Sequence, residues 1–343
     1  MRCSVMNVRF AAAVCSIILV AGCTENPPLE PTSLHAAAKM APAPAAGLLA
    51  SGFAGGSGST VGPGGALYVT EPAAGRIARV DPETGAVTTY ASGLPASLIG
   101  IGGVMDIAFI GGTAYALVTL VGADVGGSDV VGIYRVDGPS SFTVIADVGT
   151  YAMDNPPPTT YFVPTGVQYA MEAYRGGLLV TDGHHNRVLH VRLDGEISDF
   201  MVVENTVPTG LAVSGNMVFM AEAGPTPHAP EDGRIVSFGP KSSAPDVVAS
   251  GARLLVDVEL GRGQTLYALA QGIWDGVADG SPALPSTGSL VRAGADGMLH
   301  VVIDGLNQPT SLEIIGTTAY VMTLGGELWR IDNIGQPPFG PAQ

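Results

Sequence analysis

Short apolar runs recur along the chain at similar spacing, and each ends in a polar or small residue near a turn. Six are present: LYVTE (67–71), AYALV (114–118), LLVTD (178–182), VFMAE (218–222), LYALA (266–270) and AYVMT (319–323). Their second residues are 47, 64, 40, 48 and 53 residues apart. A four-stranded propeller blade takes about 40–50 residues, so the period predicts six blades, and the two longest intervals indicate insertions.

Each repeat divides into the same sequence of strands. A segment such as PTGV (164–167), PTGL (208–211) or PTSL (309–312) leads to the apolar run, and a loop and a third strand such as GRIARVD follow, often with a fourth strand such as AVTTYA. Short β-branched and aromatic segments between Gly, Pro and Asp turns are typical of antiparallel blades. The fold class expected is therefore all-β, a six-bladed β-propeller of four-stranded antiparallel blades.

The two ends of the repeat array complement each other. The last repeat ends near Asp332 without a clear fourth strand, whereas GLLASGF (47–53) precedes the first repeat and resembles one. We expect this N-terminal strand to complete the sixth blade and close the ring, which removes the open sheet edges. The propeller would then occupy residues 47–343.

The first 46 residues differ from the rest in composition. Arg2 and Arg9 flank an apolar run (10–20) that ends in Val-Ala-Gly-Cys, which is typical of a lipoprotein signal peptide over 1–22 with lipidation at Cys23. Ordinary secretion is the alternative. The Pro- and Ala-rich segment 23–46 reads as a linker. All three cysteines lie at or before Cys23, so the folded part of this exported chain has no disulfide.

Composition and charge limit the kinds of partner that the protein is expected to bind. Hydrophobic residues make up 46% of the chain and charged residues 13%, which indicates a folded core. After removal of residues 1–22 the chain has 13 basic and 30 acidic side chains, a net charge of −17. Such a surface repels nucleic acid and anionic headgroups, so we expect no nucleic acid, contact with a bacterial envelope membrane through the lipid alone, and a monomer.

The sequence also resembles a known family. The run STVGPGGALYVTEPAAGRIARVDPETGAVTTYASGLP (59–95), with VPTGVQYA, GARLLVDVEL and GLNQPTSLEIIG, resembles the ScyD/ScyE family of exported six-bladed propellers, named from the gene cluster for the cyanobacterial pigment scytonemin. The resemblance covers roughly 47–332 and implies the fold and an extracytoplasmic location, but no chemistry. The repeats are more distantly similar to NHL-repeat propellers, streptogramin lyases and gluconolactonases, whose catalytic motifs find no residue-by-residue match.

Candidate chemistry lies on one face of the ring. The chain has no phosphate-binding loop, Gly-x-Ser-x-Gly elbow, His-Glu-x-x-His or cysteine pair, which disfavours nucleotide binding, serine hydrolysis by that elbow and thiolate zinc. In a propeller the inner strands begin at the face where the loops between second and third strands emerge. Residues expected at this face for ligand binding are Asp182, Asn186, Arg187, Glu259, Gln308 and Glu313.

Three histidines fall in the loops of blades three and four. His184, His185 and His228 are candidate general bases, and Glu71 and Glu222 end the apolar runs of blades one and four. Imidazole and carboxylate groups together suit a divalent cation or proton transfer. The alternative for DGHHNR (182–187) is a polar, solvent-exposed turn.

Two aspartates occupy equivalent inner-strand positions in opposite blades. Asp106 and Asp257 stand where blades three, four and six have Gly166, Gly210 and Ser311. Facing each other across the channel, they could hold Ca²⁺ or Mg²⁺, directly or through water. The alternative is that each accepts hydrogen bonds from backbone amides.

Two functions from different classes follow. The first is an extracytoplasmic binding or scaffold propeller for a small molecule, glycan or partner protein. The second is a metal-assisted lyase or lactonase with Asp106, Asp257, Glu71 or Glu222 as ligands and a histidine as base. The enzyme hypothesis requires these carboxylates and histidines to converge on one point, whereas the binding hypothesis does not.

Overall fold

Twenty-four strands form six antiparallel four-stranded sheets in the computed structural model, which describes residues 42–225, 228–276 and 280–335. Blade one contains β2 (Ser59–Val61), β3 (Leu67–Glu71), β4 (Arg76–Val80) and β5 (Val87–Ser92). Blade two contains β6 (Gly103–Ile110), β7 (Thr113–Thr119), β8 (Gly132–Gly138) and β9 (Ser141–Asp147). Blade three contains β10 (Gln168–Tyr174), β11 (Gly177–Asp182), β12 (Arg187–Val191) and β13 (Ile197–Val202).

The remaining three blades repeat the same order from the inner strand outwards. Blade four contains β14 (Pro208–Ser214), β15 (Met217–Glu222), β16 (Arg234–Phe238) and β17 (Asp246–Ser250). Blade five contains β18 (Leu255–Leu260), β19 (Leu266–Ala270), β20 (Gly288–Ala293) and β21 (Leu299–Leu306). Blade six contains β22 (Pro309–Ile315), β23 (Thr318–Thr323), β24 (Glu327–Asp332) and, as its outer strand, β1 (Ala45–Ser51).

The ring closes as the sequence predicts. β1 runs antiparallel to β24, from Ala45 opposite Asp332 to Ser51 opposite Glu327. The all-β class, the six blades and the closing N-terminal strand are therefore confirmed. The predicted signal peptide (1–22), Cys23 and most of the predicted linker lie outside the described residues, and β1 begins two residues before the predicted propeller start at Gly47.

Hydrophobic clusters fill the interfaces between blades. Six clusters of described residues are found, one between each pair of neighbouring blades, including blades six and one. In β3, Leu67 and Val69 pack towards blade six while Tyr68 packs towards blade two. Because both faces of this strand are buried, no polar alternation is seen in its sequence.

The helices are short and lie between strands. The α-helix α1 (Val148–Asp154) and residues 155–167 form the insertion between blades two and three, and residues 271–276 and 280–287 belong to a long loop of blade five. Single 3₁₀ turns occur at Pro63–Gly65, Pro72–Ala74, Ala123–Val125 and Arg262–Gln264. Within the described residues, every helix is too short or too polar to span a bilayer.

Candidate functional site

The inner strands enclose a cavity of about 190 Å³ at the centre of the ring. We call it the channel cavity. Five carboxyl groups line it, together with hydroxyl groups that include Ser57, Ser59 and Ser311 and the phenol of Tyr169. The carboxyl groups, referred to here as the channel carboxyls, come from blades two, three, five and six and are Asp106, Glu172, Asp257, Glu259 and Glu313. The sequence predicted all of them except Glu172.

A register irregularity near the start of the inner strand sets which side chains face the cavity. The pairing with the second strand shifts between Val104 and Asp106 in blade two and between Leu255 and Asp257 in blade five. The same shift occurs between Gln168 and Met171 in blade three. A β-bulge of this kind turns the strand and redirects its side chains.

This register corrects one sequence alignment. The residues equivalent to Asp106 and Asp257 in blades four and six are Gly210 and Ser311, as expected from the sequence. In blade three the equivalent residue is Ala170, not Gly166, because Pro164 lies four residues before β10 whereas Pro208 and Pro309 begin their strands. Glu172 therefore occupies the same position as Glu259 and Glu313, two residues further along the inner strand.

Asp106 and Asp257 each bind the backbone of the next blade. Asp106 accepts a hydrogen bond from the Met171 amide at 2.7 Å, and Asp257 accepts one from the Leu312 amide at 2.7 Å. The other oxygen of each carboxylate accepts the amide of the following residue, at 2.8 Å and 2.9 Å. Both aspartates thus make the backbone hydrogen bonds that were the alternative to metal ligation.

Glycines make room for these two carboxylates on their other side. A Cβ at Gly58 would lie 2.2 Å from Asp106 Oδ1, and a Cβ at Gly210 would lie 2.4 Å from Asp257 Oδ1. Each aspartate is therefore wedged between a glycine of the preceding blade and an amide of the following blade. The arrangement recurs three blades later, which gives the inner ring an approximate two-fold symmetry.

The channel carboxyls have no cationic partner among the described residues. The cavity lining contains no Lys, Arg or His, and the ion pairs formed elsewhere in the described chain leave all five groups out. Asp106 and Glu313 are 7% and 8% exposed. Buried carboxylates without counter-ions are energetically costly, so their pKa values must rise.

Desolvation raises the pKa of every channel carboxyl. It raises the pKa of Glu172 and of Asp257 to about 7 and holds the pKa values of Asp106, Glu259 and Glu313 well above their ordinary range. Repulsion between carboxylates raises the pKa further for all but Asp257, and backbone amides oppose the rise. The channel carboxyls therefore resist ionisation in the folded protein.

Glu71, Asp182 and Glu222 lie outside the cavity lining and pair with arginines across the hairpin between second and third strands. The pairs are Glu71 with Arg76, Asp182 with Arg187 and Glu222 with Arg234. Each carboxylate is almost fully buried. Glu71 and Glu222, which the sequence suggested as metal ligands, are thus neutralised by arginine side chains.

The same three carboxylates hold the segment that enters their blade. Glu71 accepts the Ala54 amide at 2.9 Å, Asp182 accepts the Val167 amide at 3.2 Å, and Glu222 accepts the Thr206 hydroxyl at 3.0 Å. The acidic residue that ends the apolar run in blades one, three and four therefore fixes the connection between neighbouring blades.

His185, Asn186 and Arg187 form a buried network, not the solvent-exposed turn that the sequence left open. All three are at most 2% exposed. His185 lies 3.2 Å from Asp182 and 3.0 Å from the Val163 carbonyl, and Asn186, at a φ of 54°, accepts two amides from 206–207. These side chains hold the insertion and the start of blade four in place.

The other predicted residues are divided among different environments. His228 contacts the Ala223 carbonyl at 3.1 Å and the Trp274 ring at 5.7 Å. Gln308 donates to the Ala283 carbonyl at 2.6 Å. His184 reaches the cavity lining through a 3.1 Å contact between its Nε2 and the hydroxyl of Tyr169.

Metal donors do not cluster tightly in the described part of the chain. No group of three or more His, Cys, Asp or Glu side chains there is close enough to hold a metal ion. Repulsion between carboxylates contributes to the raised pKa values of Asp106 and Glu313, and the five channel carboxyls come from four inner strands around the cavity. A cation bound there would keep much of its water shell.

Comparison with solved structures identifies the fold. The chain is similar to a gluconolactonase of Xanthomonas campestris (TM-score 0.58, 14% identity, 84% of this chain and 89% of that one). It is also similar to a PQQ-bound aldose sugar dehydrogenase of Streptomyces coelicolor (0.58, 15%, 85% and 99%) and to virginiamycin B lyase of Staphylococcus aureus (0.50, 14%, 84% and 98%). Identities this low show a shared six-bladed propeller fold alone.

Sequence comparison adds no assignment. No protein-family model matches the chain, and no curated protein matches it in sequence. The resemblance to the ScyD/ScyE family therefore stays a prediction.

Proposed function

We propose that this protein is an exported binding propeller whose channel cavity takes a positively charged ligand. The observation that carries the proposal is the convergence of five carboxyl groups from four blades on one cavity whose lining contains no cationic side chain. Export rests on the signal-peptide pattern of residues 1–22, and the ScyD/ScyE resemblance supports the same address.

The size of the cavity limits the ligand. Sites for drug-sized molecules have about 300–1,000 Å³, whereas this cavity has about 190 Å³. A hydrated divalent cation or the charged end of a larger molecule fits that volume. A whole glycan or a protein partner would contact the cavity through one group only.

Ca²⁺ and Mg²⁺ are the inorganic ligands that suit the donors. Both prefer carboxylate and hydroxyl oxygens, and Mg²⁺ retains several waters. Asp106 and Asp257 each accept two backbone amides, whereas Glu172 and Glu259 each accept only the amide of the residue that follows, and Glu313 meets only the Val61 backbone of blade one. We assign the stronger ligand role to the glutamates.

A metal-assisted lactonase or lyase is the second candidate. The observation that favours it is the contact of His184 with Tyr169 at the cavity, because a histidine beside a metal-binding cavity can act as general base. A gluconolactonase and a virginiamycin B lyase share the fold. His185 and His228, the other candidate bases, make contacts away from this lining.

The cell-envelope placement is proposed as well. Lipidation at Cys23 would anchor the chain to a membrane, with secretion or a soluble periplasmic form as the alternative. A monomer without nucleic-acid partners is expected from the net charge of −17 after removal of residues 1–22.

A thermal melt of the full chain tests the binding role. After EDTA treatment, we expect Ca²⁺ or Mg²⁺ to raise the midpoint, since a ligand at about 100 times its Kd stabilises the folded state by about 2.7 kcal/mol. The rise should vanish in Glu259→Gln/Glu313→Gln and persist in Glu196→Gln, an exposed glutamate in the turn before β13. If neither metal nor ammonium ions shift the midpoint, the proposal is wrong.

The enzyme alternative needs its own readout. Hydrolysis of simple lactones that requires added cation and is lost in His184→Ala, with the cation-dependent midpoint retained, would favour catalysis over binding. Cation binding without turnover of lactones would leave the binding role.

A further inference from the structure

Two sets of loops lie on one face of the ring. Because every blade has the same antiparallel strand order, the loops between second and third strands emerge beside the connections from one blade to the next. We call this surface the loop face. The turns between first and second strands and between third and fourth strands form the opposite face.

Charge is distributed unequally between the two faces. Apart from arginines that begin third strands and pair with buried carboxylates, the described loops of the loop face contain one basic residue, Arg253. The exposed bases Arg175, Lys241 and Arg262 lie on the opposite face. The acidic residues in the described loops of the loop face are Asp124, Asp129, Asp154, Glu204, Glu231, Asp232 and Asp275. The loop face therefore attracts basic molecules and repels anionic ones.

The connection from blade one to blade two exposes three large apolar side chains within four residues. Leu98, Ile99 and Ile101 are 51%, 52% and 46% exposed. Single exposed apolar residues are ordinary, but neighbouring ones on one short loop form a patch, which is typical of a surface that contacts a partner. These three residues lie outside the lining of the channel cavity.

The backbone of this connection is closed by hydrogen bonds. Ser97 Oγ donates to the Ile101 carbonyl at 2.7 Å, and the Ser97 amide donates to the Pro72 carbonyl at 2.9 Å. Gly100 and Gly102 have φ values of 85° and 78°, in the left-handed region that glycine enters without strain. The exposed apolar side chains are therefore presented by an ordered loop, which lowers the entropic cost of binding a partner.

The loop between β7 and β8 places acidic groups beside these apolar side chains. A Cβ at Gly127 would lie 2.6 Å from Leu98 Cδ1, so the two loops are in contact. Asp124 and Asp129 belong to the same loop as Gly127, and both are exposed. Asp124 accepts the Thr165 hydroxyl at 2.6 Å, and neither aspartate forms an ion pair with another described residue. The two loops therefore combine exposed apolar area with uncompensated negative charge.

We propose that Leu98, Ile99, Ile101, Asp124 and Asp129 form a docking surface for a basic amphipathic segment of a partner protein. Apolar side chains of the partner cover the three apolar residues, and its Lys or Arg side chains meet the two aspartates. We call these five residues the docking patch. It is separate from the channel cavity, so the inference goes beyond the proposed cation-binding function.

Charge favours this partner over two other occupants. A second copy of the chain would bring another strongly acidic surface to the loop face, and an anionic membrane would be repelled by the same aspartates. A basic segment with apolar side chains covers the exposed apolar area and also neutralises the aspartates.

Fluorescence anisotropy with the full chain tests the inference, and a synthetic amphipathic Leu/Lys peptide is the probe. Two control peptides keep one property each: a Leu/Glu peptide is amphipathic but acidic, and a Gly/Lys peptide is basic but has no apolar side chains. At about 0.15 M salt, the Leu/Lys peptide should bind at least about tenfold more tightly than either control, because only this peptide meets both kinds of residue. Equal binding of the three peptides would contradict the proposal.

Substitutions in the docking patch should weaken binding of the Leu/Lys peptide. Ile99→Lys should weaken it at least about tenfold, because it removes apolar area and adds a like charge, whereas Ile99→Leu should stay within about twofold. Asp124→Asn/Asp129→Asn should weaken it about three- to tenfold and reduce the dependence of Kd on salt. Each variant should keep its melting midpoint, since the changed side chains are exposed.

Two control variants make the same kinds of change elsewhere. Val301→Lys replaces a 59% exposed apolar side chain on β21, and Asp194→Asn/Glu196→Gln neutralises two acids of the opposite face that are 59% and 67% exposed. Both should leave the affinity for the Leu/Lys peptide within about twofold. Equal weakening by the control and patch variants would show general attraction to an acidic chain and would overturn the inference.

The remaining outcomes concern other binding sites and occupants. Glu259→Gln/Glu313→Gln should bind the Leu/Lys peptide within about twofold of the unchanged chain, because the cavity and the docking patch are separate. A large loss in that variant would place the peptide in the cavity and overturn the inference, while leaving the cation-binding function standing. Binding to phosphatidylglycerol vesicles, or a dimer in analytical ultracentrifugation, that is lost in Ile99→Ser would assign the patch to a membrane or a second copy and would also overturn it.

Discussion

At the scale of single residues, the same side-chain type has different roles depending on which backbone groups it meets. Asp257 and Glu259 lie two residues apart on β18 and face the same cavity. Asp257 accepts an amide of blade six with one oxygen and its own neighbour's amide with the other. Glu259 accepts only the amide of the residue that follows it. The first links two blades, and the second is available for a ligand.

This difference predicts opposite effects for two matched substitutions. Asp257→Asn should lower the free energy of unfolding by about 1–3 kcal/mol, because its amide nitrogen would face an N–H donor. Glu259→Gln should leave stability unchanged or raise it, since it removes repulsion with Glu313 and Asp257. Urea unfolding at pH 7.5 measures both. Equal destabilisation by the two substitutions would show that Asp257 has no special role between blades.

Asp182 provides a second prediction at this scale. Its carboxylate meets Arg187 at 3.1 Å and the Val167 amide at 3.2 Å, and it is fully buried. Asp182→Ala removes the buried carboxylate that pairs with Arg187. It should lower the free energy of unfolding, measured in urea, by about 3–5 kcal/mol. Asp194→Ala breaks the exposed pair with Arg192 and should cost less than about 1 kcal/mol. If Asp182→Ala were as mild as Asp194→Ala, the interpretation of this pair as a structural link would fail.

Spacing within a strand was enough to predict the position of some residues, while the binding roles assigned to them stay predictions. Glu259 and Glu313 were placed at the channel from their offset relative to Asp257 and Ser311, and both line the cavity. Glu172 was missed because blade three was aligned on Gly166, while the strand itself begins at Gln168. The role of Asp182 could not be deduced, since the Val167 amide that it accepts belongs to a connecting segment that comes close to it only after folding.

At the scale of elements, the contact between neighbouring inner strands depends on residues without side chains. Gly210 lies against Asp257, and a Cβ there would come within 2.5 Å of the Asp257 Cα atom. Backbone atoms cannot move aside as a flexible side chain would. The spacing between β14 and β18 is therefore set by the absence of a Cβ, which no hydrophobic pattern in the sequence reveals.

Substituting this glycine should separate the two strands. Gly210→Ala is expected to destabilise the protein by at least about 1–3 kcal/mol in urea unfolding, because overpacked sites force backbone shifts. Gly47→Ala is the matched control, since β1 offers open space around its Cβ and its stability should change by less than about 1 kcal/mol. A neutral Gly210→Ala would mean that the inner strands can move apart freely.

Element boundaries were predictable to the extent that turns punctuate the chain. The apolar runs at 67–71 and 266–270 coincide with β3 and β19. The insertion between blades two and three was predicted from the 64-residue interval, but its helix and its aromatic residues were not. Tyr161 and Phe162 have no periodic partners in the sequence, and their positions follow from contacts with His185 and His184.

At the scale of the whole molecule, ring closure explains why one chain end provides the last strand. β1 covers β24, whose apolar residues Leu328 and Ile331 are fully buried. The sequence could predict this because a missing strand at one end and a spare strand at the other are both visible in the repeat pattern. The cavity at the centre of the ring could not be predicted in the same way, because residues from all six blades line it together.

The acidic cavity makes the stability of the whole ring depend on pH. Burial raises the pKa of Glu172 and of Asp257 to about 7, and it raises the other three channel carboxyls as well. Above their unfolded pKa values the folded state therefore holds more protons than the unfolded state. The linkage relation then makes the free energy of unfolding fall as pH rises. This contribution is complete below about pH 4 and is progressively lost as pH rises through about 7.

The melting midpoint of the full chain in EDTA should consequently fall by several degrees between about pH 5 and pH 8. Burial lowers the pKa of His190, so this group makes stability rise with pH. It contributes one titrating proton, whereas the channel carboxyls contribute several. Glu172→Gln/Glu313→Gln should flatten the slope, because it removes two of the titrating groups. A saturating bound cation should flatten it too, since the carboxylates then keep their charge at little cost. A midpoint that rises over this range would show that the channel carboxyls are not the dominant titrating groups.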